Sequence, residues 1–301
     1  MASGLKGYPL LATVQENMFD LSIIIVTYKE DLNVLRRCFE SVIKSAGISY
    51  ELIVIDNAGR RDTEVLLREF SSSAVYIANR RNQGFAAAVN QGLRISTGRY
   101  VLLLNPDTEF RPGVLRAMTD HLDADKDVGI ASSIIRYPNG SFQESVRRFP
   151  TLCNQLVILL KIPHLVKRSR IIDKYMMRDV DPYQTQNVDS IMGAFMFIRR
   201  SVIEKIGLFD ERYFIWFEEV DYCKMASEAG VKIRHYADIE VTHHQGHMFN
   251  QQATIKKQRW VRQSLRKYMR KHHGLLPWTI LWMLTPLFIL LAYGAAIVKR
   301  S

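Results

Sequence analysis

The sequence predicts an α/β fold with an open, mostly parallel central sheet. Three observations point to it: short apolar β-branched runs alternate with helical periodicities, polar residues gather where those runs end, and 48% apolar content supports a sizeable core. Leu21–Thr27 (LSIIIVT) is short, rich in apolar β-branched residues and free of charge, as expected of a strand covered on both faces. Leu32, Leu35, Phe39, Val42 and Ile43 then keep helical spacing until Gly47. Glu51–Asp56 is a second buried strand, residues 62–70 a second helix and Ala74–Ala78 a weaker third strand. Gly84–Ile95 reads as a helix and Arg99–Leu104 as a fourth strand. Gly129–Tyr137 is strand-like, with Asn139-Gly140 as a turn. Residues 152–180 join an apolar stretch to a basic loop, a second membrane-facing or acceptor-facing element. Val188–Ile198 resumes a strand, helices follow from Ser201 and over Glu219–Ala229, and Val231–His243 is extended.

The polar residues carry the functional signal. Thr27-Tyr28, Asp56-Asn57 and Asn105-Pro106-Asp107 each close a strand, and open parallel sheets bind ligands beyond such exits. One exit alone is ordinary turn chemistry; three together predict a shared pocket. No GxGxxG follows the first strand and no GxxxxGK[ST] occurs, which excludes the common dinucleotide and P-loop readings. Gly84 opens a helix whose backbone N–H groups suit phosphate. Glu218, Glu219 and Asp221 cluster at another helix start behind five residues rich in aromatics, as dipole complements or as a general base. His243, His244 and His247 follow the last strand; with Asp107 they are structural histidines or ligands of a divalent metal. Three scattered cysteines fit neither a disulfide framework nor a zinc site.

The net charge of +11 is local. Residues 254–301 hold ten of the 41 cations and no acid, so residues 1–253 carry 31 positive charges against 30 negative. This argues against a nucleic-acid-binding surface. Leu275–Val298 is an uncharged run of 24 residues with Trp278, Trp282 and Tyr293 toward its ends, expected as a hydrophobic membrane anchor. Pro277 and Pro286 also permit a bent or re-entrant path, and a buried core helix kinked at Pro286 is the alternative. The basic residues 251–274 are expected to lie on the lipid surface. Residues 1–20 form an extension without a signal-peptide core. The expectation is therefore a catalytic unit over residues 21–250 on the cytoplasmic face of a bacterial cytoplasmic membrane.

VTYK (26–29), VIDNAG (54–59), NRRNQGFAAAVNQG (79–92), LLLNPDT (102–108), GAFMFIRR (193–200), GLFDERYFIWFEEVDYC (207–223) and VTHH (241–244) occur in this order. Together they resemble the inverting family 2 glycosyltransferases of GT-A (Rossmann-like) fold, most closely the bacterial rhamnosyltransferases of O-antigen and cell-surface polysaccharide assembly. The resemblance implies a donor site from Thr27, Tyr28, Asp56, Asn57, Asn82, Gly84, Phe85, Asn90, Asn105 and Asp107. It implies a divalent cation, Mg²⁺ or Mn²⁺, on Asp107 and His243, with Asn105 replacing the first acid of the usual metal motif. Glu218 and Glu219 fall where relatives carry Glu-Asp, so Glu219 is the implied base, with Glu218 the other candidate and Asp221 close by. The implied substrates are a nucleotide diphosphate sugar, taken as dTDP-rhamnose, and a polyprenyl-diphosphate-linked saccharide at the lipid surface. UDP-glucose or UDP-galactofuranose as donor, or a non-catalytic sugar-nucleotide-binding protein, are the alternatives.

Overall fold

The structure is a computed structural model that describes residues 19–45, 47–162, 169–244 and 254–298, with the backbone alone in 254–256 and 292–298. The first half follows the expected alternation: β1 (Leu21–Thr27), α1 (Leu32–Lys44), β2 (Tyr50–Asp56), α2 (Arg61–Phe70), β3 (Val75–Ala78), α3 (Phe85–Ile95) and β4 (Tyr100–Leu104). These strands pair in parallel in the order β3-β2-β1-β4. Every residue of β1 and β4 is buried because helices cover both faces. The period of two is visible in the core: Leu21, Ile23 and Ile25 join one layer with Leu35 and Phe39 of α1, while Ile24 and Val26 join the other with Val89 and Leu93 of α3.

Two elements then appear that the hydrophobic pattern was not used to predict, β5 (Thr108–Phe110) and α4 (Val114–Ala124). Next come β6 (Val128–Arg136), the short β7 (Phe142–Gln143) and β8 (Val146–Arg147), α5 (Leu152–Leu159) and α6 (Arg170–Tyr175). After β9 (Gln186–Asn187) the single strand expected over Val188–Ile198 divides into β10 (Ser190–Ile191) and β11 (Phe195–Arg199). The chain ends with α7 (Arg200–Ile206), α8 (Glu218–Glu228), β12 (Lys232–His243), α9 (Thr254–His273), α10 (Leu275–Met283) and α11 (Thr285–Val298).

The sheet is mixed, which corrects the expectation of a mostly parallel one. Its order is β3-β2-β1-β4-β11-β6-β12-β5, with β11 antiparallel to both neighbours and β5 antiparallel to β12. The cause is the excursion between β6 and β11. It begins and ends at the carboxyl edge of the sheet, so the next strand must run back from that edge. α7 then starts at the amino edge, α8 begins at the carboxyl edge again, and β12 returns there beside β6 in parallel. Thr27, Asp56, Asn105, Glu218 and His243 thus all reach one edge although they span most of the chain.

The uncharged run over Leu275–Val298, expected as a membrane anchor, is not one continuous helix. Leu284 breaks the uncharged run into α10 and α11, and among the described residues no helix is long and apolar enough to cross a membrane. Leu281 and Phe288 pack instead on Leu265, Tyr268 and Met269 of α9 and on Leu152 and Leu156 of α5. The apolar stretch within 152–180 therefore has a protein partner. α9, within the basic segment 251–274, is clamped onto the domain along one face.

Candidate active site at the carboxyl edge of the sheet

β1 is where strand order reverses, with β2 on one side and β4 on the other, and the crevice beyond such a switch point is a natural ligand site. Thr27 is the register partner of Asp56. Asp56 is fully buried, and its carboxylate accepts from the N–H groups of Ala58 and Arg60, at 2.7 and 2.9 Å, and from Tyr76 Oη at 3.0 Å. In this geometry it shapes the loop after β2. Asn57 donates to Gly84 O (3.1 Å) and accepts from Asn79 (2.9 Å), and Asn82 caps Gly84 N–H at 2.8 Å. These two side chains fix the entry to α3. Gly84 has φ +90°, and a Cβ there would lie 2.5 Å from Phe214 O, so no other residue fits. Phe85 N–H donates to that same Phe214 oxygen at 2.8 Å, which removes one donor from the phosphate site expected at this helix start.

Asn90 corrects the donor set. Its amide bonds Phe209 O at 2.8 Å and Glu211 Oε1 at 2.9 Å and accepts from Phe209 N at 3.0 Å, so it is spent tying α3 to the segment after α7. Tyr28 stays half-buried at the β1 exit beside the Lys29 ammonium, 5.6 Å from its ring. Lys29 itself holds φ +58°, a left-handed conformation uncommon for a side-chain-bearing residue.

Asp107 and His243 do come together. β5 pairs with β12 so that Thr108 faces His243, which leaves Asp107 Oδ1 3.2 Å from His243 Nε2. His243 Nδ1 lies 3.1 Å from Gln143 Oε1, and Asn105 Nδ2 is 3.2 Å from Nε2. With Nδ1–H donating to Gln143, Nε2 turns its lone pair toward the carboxylate. An imidazole oriented by a carboxamide next to an acid is a donor set suited to a divalent cation. Among the described residues no cluster of three His, Cys, Asp or Glu surrounds this point, so a cation there needs further ligands from elsewhere. His244 is paired with Glu109 at 2.7 Å, and His247 lies outside the described residues.

On the opposite wall, α8 begins with Glu218 and Glu219. The residues before them, Trp216 and Phe217, hold φ +64° and +71°. Two consecutive non-glycine residues in the left-handed region cost on the order of 1 kcal/mol or more each, so the surrounding packing must hold them there. That packing comes from α9: Ser264 Oγ donates to Ile215 O at 2.9 Å, Trp260 stacks near Phe214 at 5.0 Å and Tyr268 near Phe217 at 5.7 Å. One oxygen of Glu218 and one of Glu219 are buried without a partner. Burial pushes the Glu218 carboxyl well above its usual range, reinforced by the charge of Glu219. Burial also raises Glu219, opposed first by a hydrogen bond from its own backbone N–H and then by the Arg147 guanidinium. Two adjacent buried carboxyls resist ionising together, so the pair carries one negative charge more readily than two.

Asp221 is removed from the catalytic set. Its buried carboxylate is bound by Lys271 Nζ at 2.7 Å, His272 Nε2 at 2.7 Å and Tyr213 Oη at 3.2 Å, which leaves nothing for a substrate. It is the clamp between α8 and α9.

The two walls meet through Gly193-Ala194. Ala194 O accepts from Asn105 N (3.0 Å) and Thr108 Oγ1 (3.3 Å), while a Cβ at Gly193 would stand 3.9 Å from Glu219 Cβ and 3.8 Å from the Phe85 ring. Buried polar atoms without partners line the same edge: Thr27 Oγ1, both oxygens of Glu30, Gln143 Nε2 and the Glu218 and Glu219 oxygens. Native proteins seldom leave such groups unpaired outside a site that a ligand completes. A cleft of about 490 Å³ lined by Arg37, Glu109, Arg111, Arg136 and Thr242 lies outward of the Asp107–His243 pair but contains neither residue. None of the buried unpaired atoms belongs to a residue lining that cleft.

Glu30 was missed by the sequence reasoning. It is 3% exposed, and burial, then Asp107, then Asp31 push its carboxyl up to about 7. The signal in the sequence was an acid two residues beyond a buried strand exit. A raised folded-state pKa gives stability that is complete below the unfolded value and is lost as pH rises through about 7. Glu30→Gln is therefore expected to melt with wild type near about pH 5 and several degrees above it near about pH 8 in the presence of chelator. Parallel melting curves at both pH values would show that Glu30 does not titrate in this way.

A family model described as Glycosyl transferase family 2 matches residues 22–207. The chain is 27% identical over 246 residues, 79% of this chain and 72% of the relative, to the low-salt glycan biosynthesis hexosyltransferase Agl10 of Haloferax volcanii. It is 25% identical over 238 residues, 75% of this chain and 76% of the relative, to the N-acetylglucosaminyl-diphospho-decaprenol L-rhamnosyltransferase of Mycobacterium tuberculosis. Its fold is similar to the mannosyltransferase PcManGT of Pyrobaculum calidifontis, solved with GDP-Man and Mn²⁺, with a TM-score of 0.57 at 16% identity over 91% of this chain and 69% of that one.

Proposed function

The chain belongs to glycosyl transferase family 2 and is a glycosyltransferase, and we propose that it transfers L-rhamnose, with inversion, from dTDP-rhamnose to a polyprenyl-diphosphate-linked saccharide. The observation that carries this reading is the pairing of Asp107 with His243 at the same sheet edge as Glu219, whose buried Oε2 has no hydrogen-bond partner and whose anion the Arg147 charge favours. The donor sugar and acceptor are supported by the relative that acts on a decaprenol-linked substrate.

Transfer with inversion needs a base on the face of the sugar opposite the leaving diphosphate. Glu219 takes the proton of the acceptor hydroxyl as that oxygen attacks the anomeric carbon, a contribution of about 10²–10⁴ in rate. The Glu218 carboxyl beside it is pushed up by burial and by the charge of Glu219, so a second charge is disfavoured in the same buried space. Gly193 leaves room between Glu219 and Phe85 for the reacting groups. Asp107 and His243 would hold Mg²⁺ or Mn²⁺, which when bound stabilises charge on the departing diphosphate as a Lewis acid. The place of work proposed for the enzyme is the cytoplasmic face of a bacterial membrane, where a lipid-linked acceptor is found.

The test is nucleotide release from a donor panel with a polyprenyl-diphosphate N-acetylglucosamine acceptor. dTDP-rhamnose should be consumed, activity should vanish with chelator, and Mn²⁺ should restore it. The hexosyltransferase relative gives UDP-glucose and UDP-galactofuranose a place in the panel. Turnover of one of these in preference to dTDP-rhamnose overturns the sugar assignment; turnover unaffected by chelator overturns the cation.

A further inference from the structure

Among the described residues, exposed large apolar side chains occur singly at Val65, Val75, Ile95, Ile171 and Tyr183 and as one concentrated group at the end of the chain. Leu275, Leu276, Trp282, Met283, Leu287, Ile289 and Leu290 all project from α10 and the first turns of α11, with Leu276 72% and Leu290 68% exposed. The opposite side of the same pair is built as a protein core, through Leu281 and Phe288 against α9 and α5. The pair therefore has a protein face and an open apolar face. A spanning helix has lipid along its whole length, and α10, at nine residues and about 1.5 Å per residue, covers about half of a bilayer core roughly 30 Å thick.

From this geometry we propose that α10 and α11 dock flat on an anionic lipid bilayer through their open face, without crossing it, and that α9 joins this docking surface rigidly to the Glu219 wall of the active site. The occupant follows from charge. Residues 254–301 contain no acid, and Arg259 and Arg270 are exposed along α9. Arg270 lies 5.3 Å from the Trp278 ring, which places a cation beside an indole where α9 meets α10, a pairing suited to the headgroup layer. A second protein copy would bring the same cations against each other, whereas anionic headgroups complement them.

The rigid connection is a chain of contacts. Arg266 bonds Thr285 Oγ1 at 3.3 Å, joining α9 to α11. On its other side α9 holds Ile215 through Ser264 and Asp221 through Lys271 and His272. The inference makes the proposed membrane location specific but does not depend on which sugar is transferred.

Full-length protein should co-float with vesicles of mixed phosphatidylcholine and phosphatidylglycerol, without donor or acceptor, and should float less with phosphatidylcholine alone. Tryptophan emission should shift to the blue on binding, and Trp282→Phe should diminish the shift. Leu276→Glu with Leu290→Glu should weaken vesicle binding at least about tenfold while leaving the melting temperature and nucleotide binding unchanged, because both side chains are already in water in the free protein. Equal flotation of this double variant and wild type overturns the proposal. So does a dimer in light scattering that the double variant converts to monomer, since the face is then covered by a second copy.

Discussion

Glu219→Gln lowers kcat by about 10²–10⁴-fold and leaves the affinity for the nucleotide sugar close to wild type. The neutral amide keeps the shape of the side chain but accepts no proton. Donor binding is unaffected because the residues at the β1 exit and the Asp107–His243 pair lie across Gly193-Ala194 from it. Glu218→Gln is the informative partner. Burial and the charge of Glu219 push the Glu218 carboxyl well above its usual range, so a neutral amide in its place costs little and most turnover should survive. Single-turnover transfer and equilibrium nucleotide binding on both variants check the pair. If Glu218→Gln is the variant that loses turnover, the base has been assigned to the wrong neighbour.

Asp221→Ala has the largest expected effect on stability. The carboxylate is 1% exposed, and it satisfies a His272 ring that is 4% exposed and a half-buried Lys271. Removing one partner of a buried charged cluster costs about 3–5 kcal/mol, because the remaining groups lose their counter-charge in a place water does not reach. In a chain of this size that is a fall of roughly 10 °C in melting temperature. Asp221→Asn keeps one acceptor and should lose about half as much. The pair also separates structure from chemistry: a clamp variant melts early yet turns over at low temperature, whereas a catalytic acid would lose turnover at unchanged stability. Thermal melts and transfer assays below the transition decide between them.

The parts of the fold legible in the sequence were those whose partners are local or whose burial is complete. β1, β2 and β4 announce themselves because helices on both faces leave no solvent side for a polar residue to occupy. The direction of β11 was not legible, since a buried apolar strand reads the same in either sense, and only the excursion at one edge makes it antiparallel. In α4 the signal was present: Leu115, Met118 and Leu122 are buried at helical spacing and Thr119 lies among them. At the site, Asp107 and His243 were legible as residue types at strand ends, and the pairing of β5 with β12 brings them into contact. Asn90 and Asp221 misled because a polar residue in a motif looks the same whether it faces a ligand or the protein. Their partners lie 119–121 and 50–51 positions away, beyond any local pattern.

The aromatic loop ahead of Glu218 has a further consequence. Its two left-handed residues are held by side chains from Trp260, Ser264 and Tyr268, some forty residues later in the chain. A nascent polypeptide that has emerged as far as β12 has its sheet and its Asp107–His243 pair but not the brace that sets Glu219. Competence is thus acquired late in synthesis, when the last helices are seated, and a prematurely terminated product would hold donor without spending it.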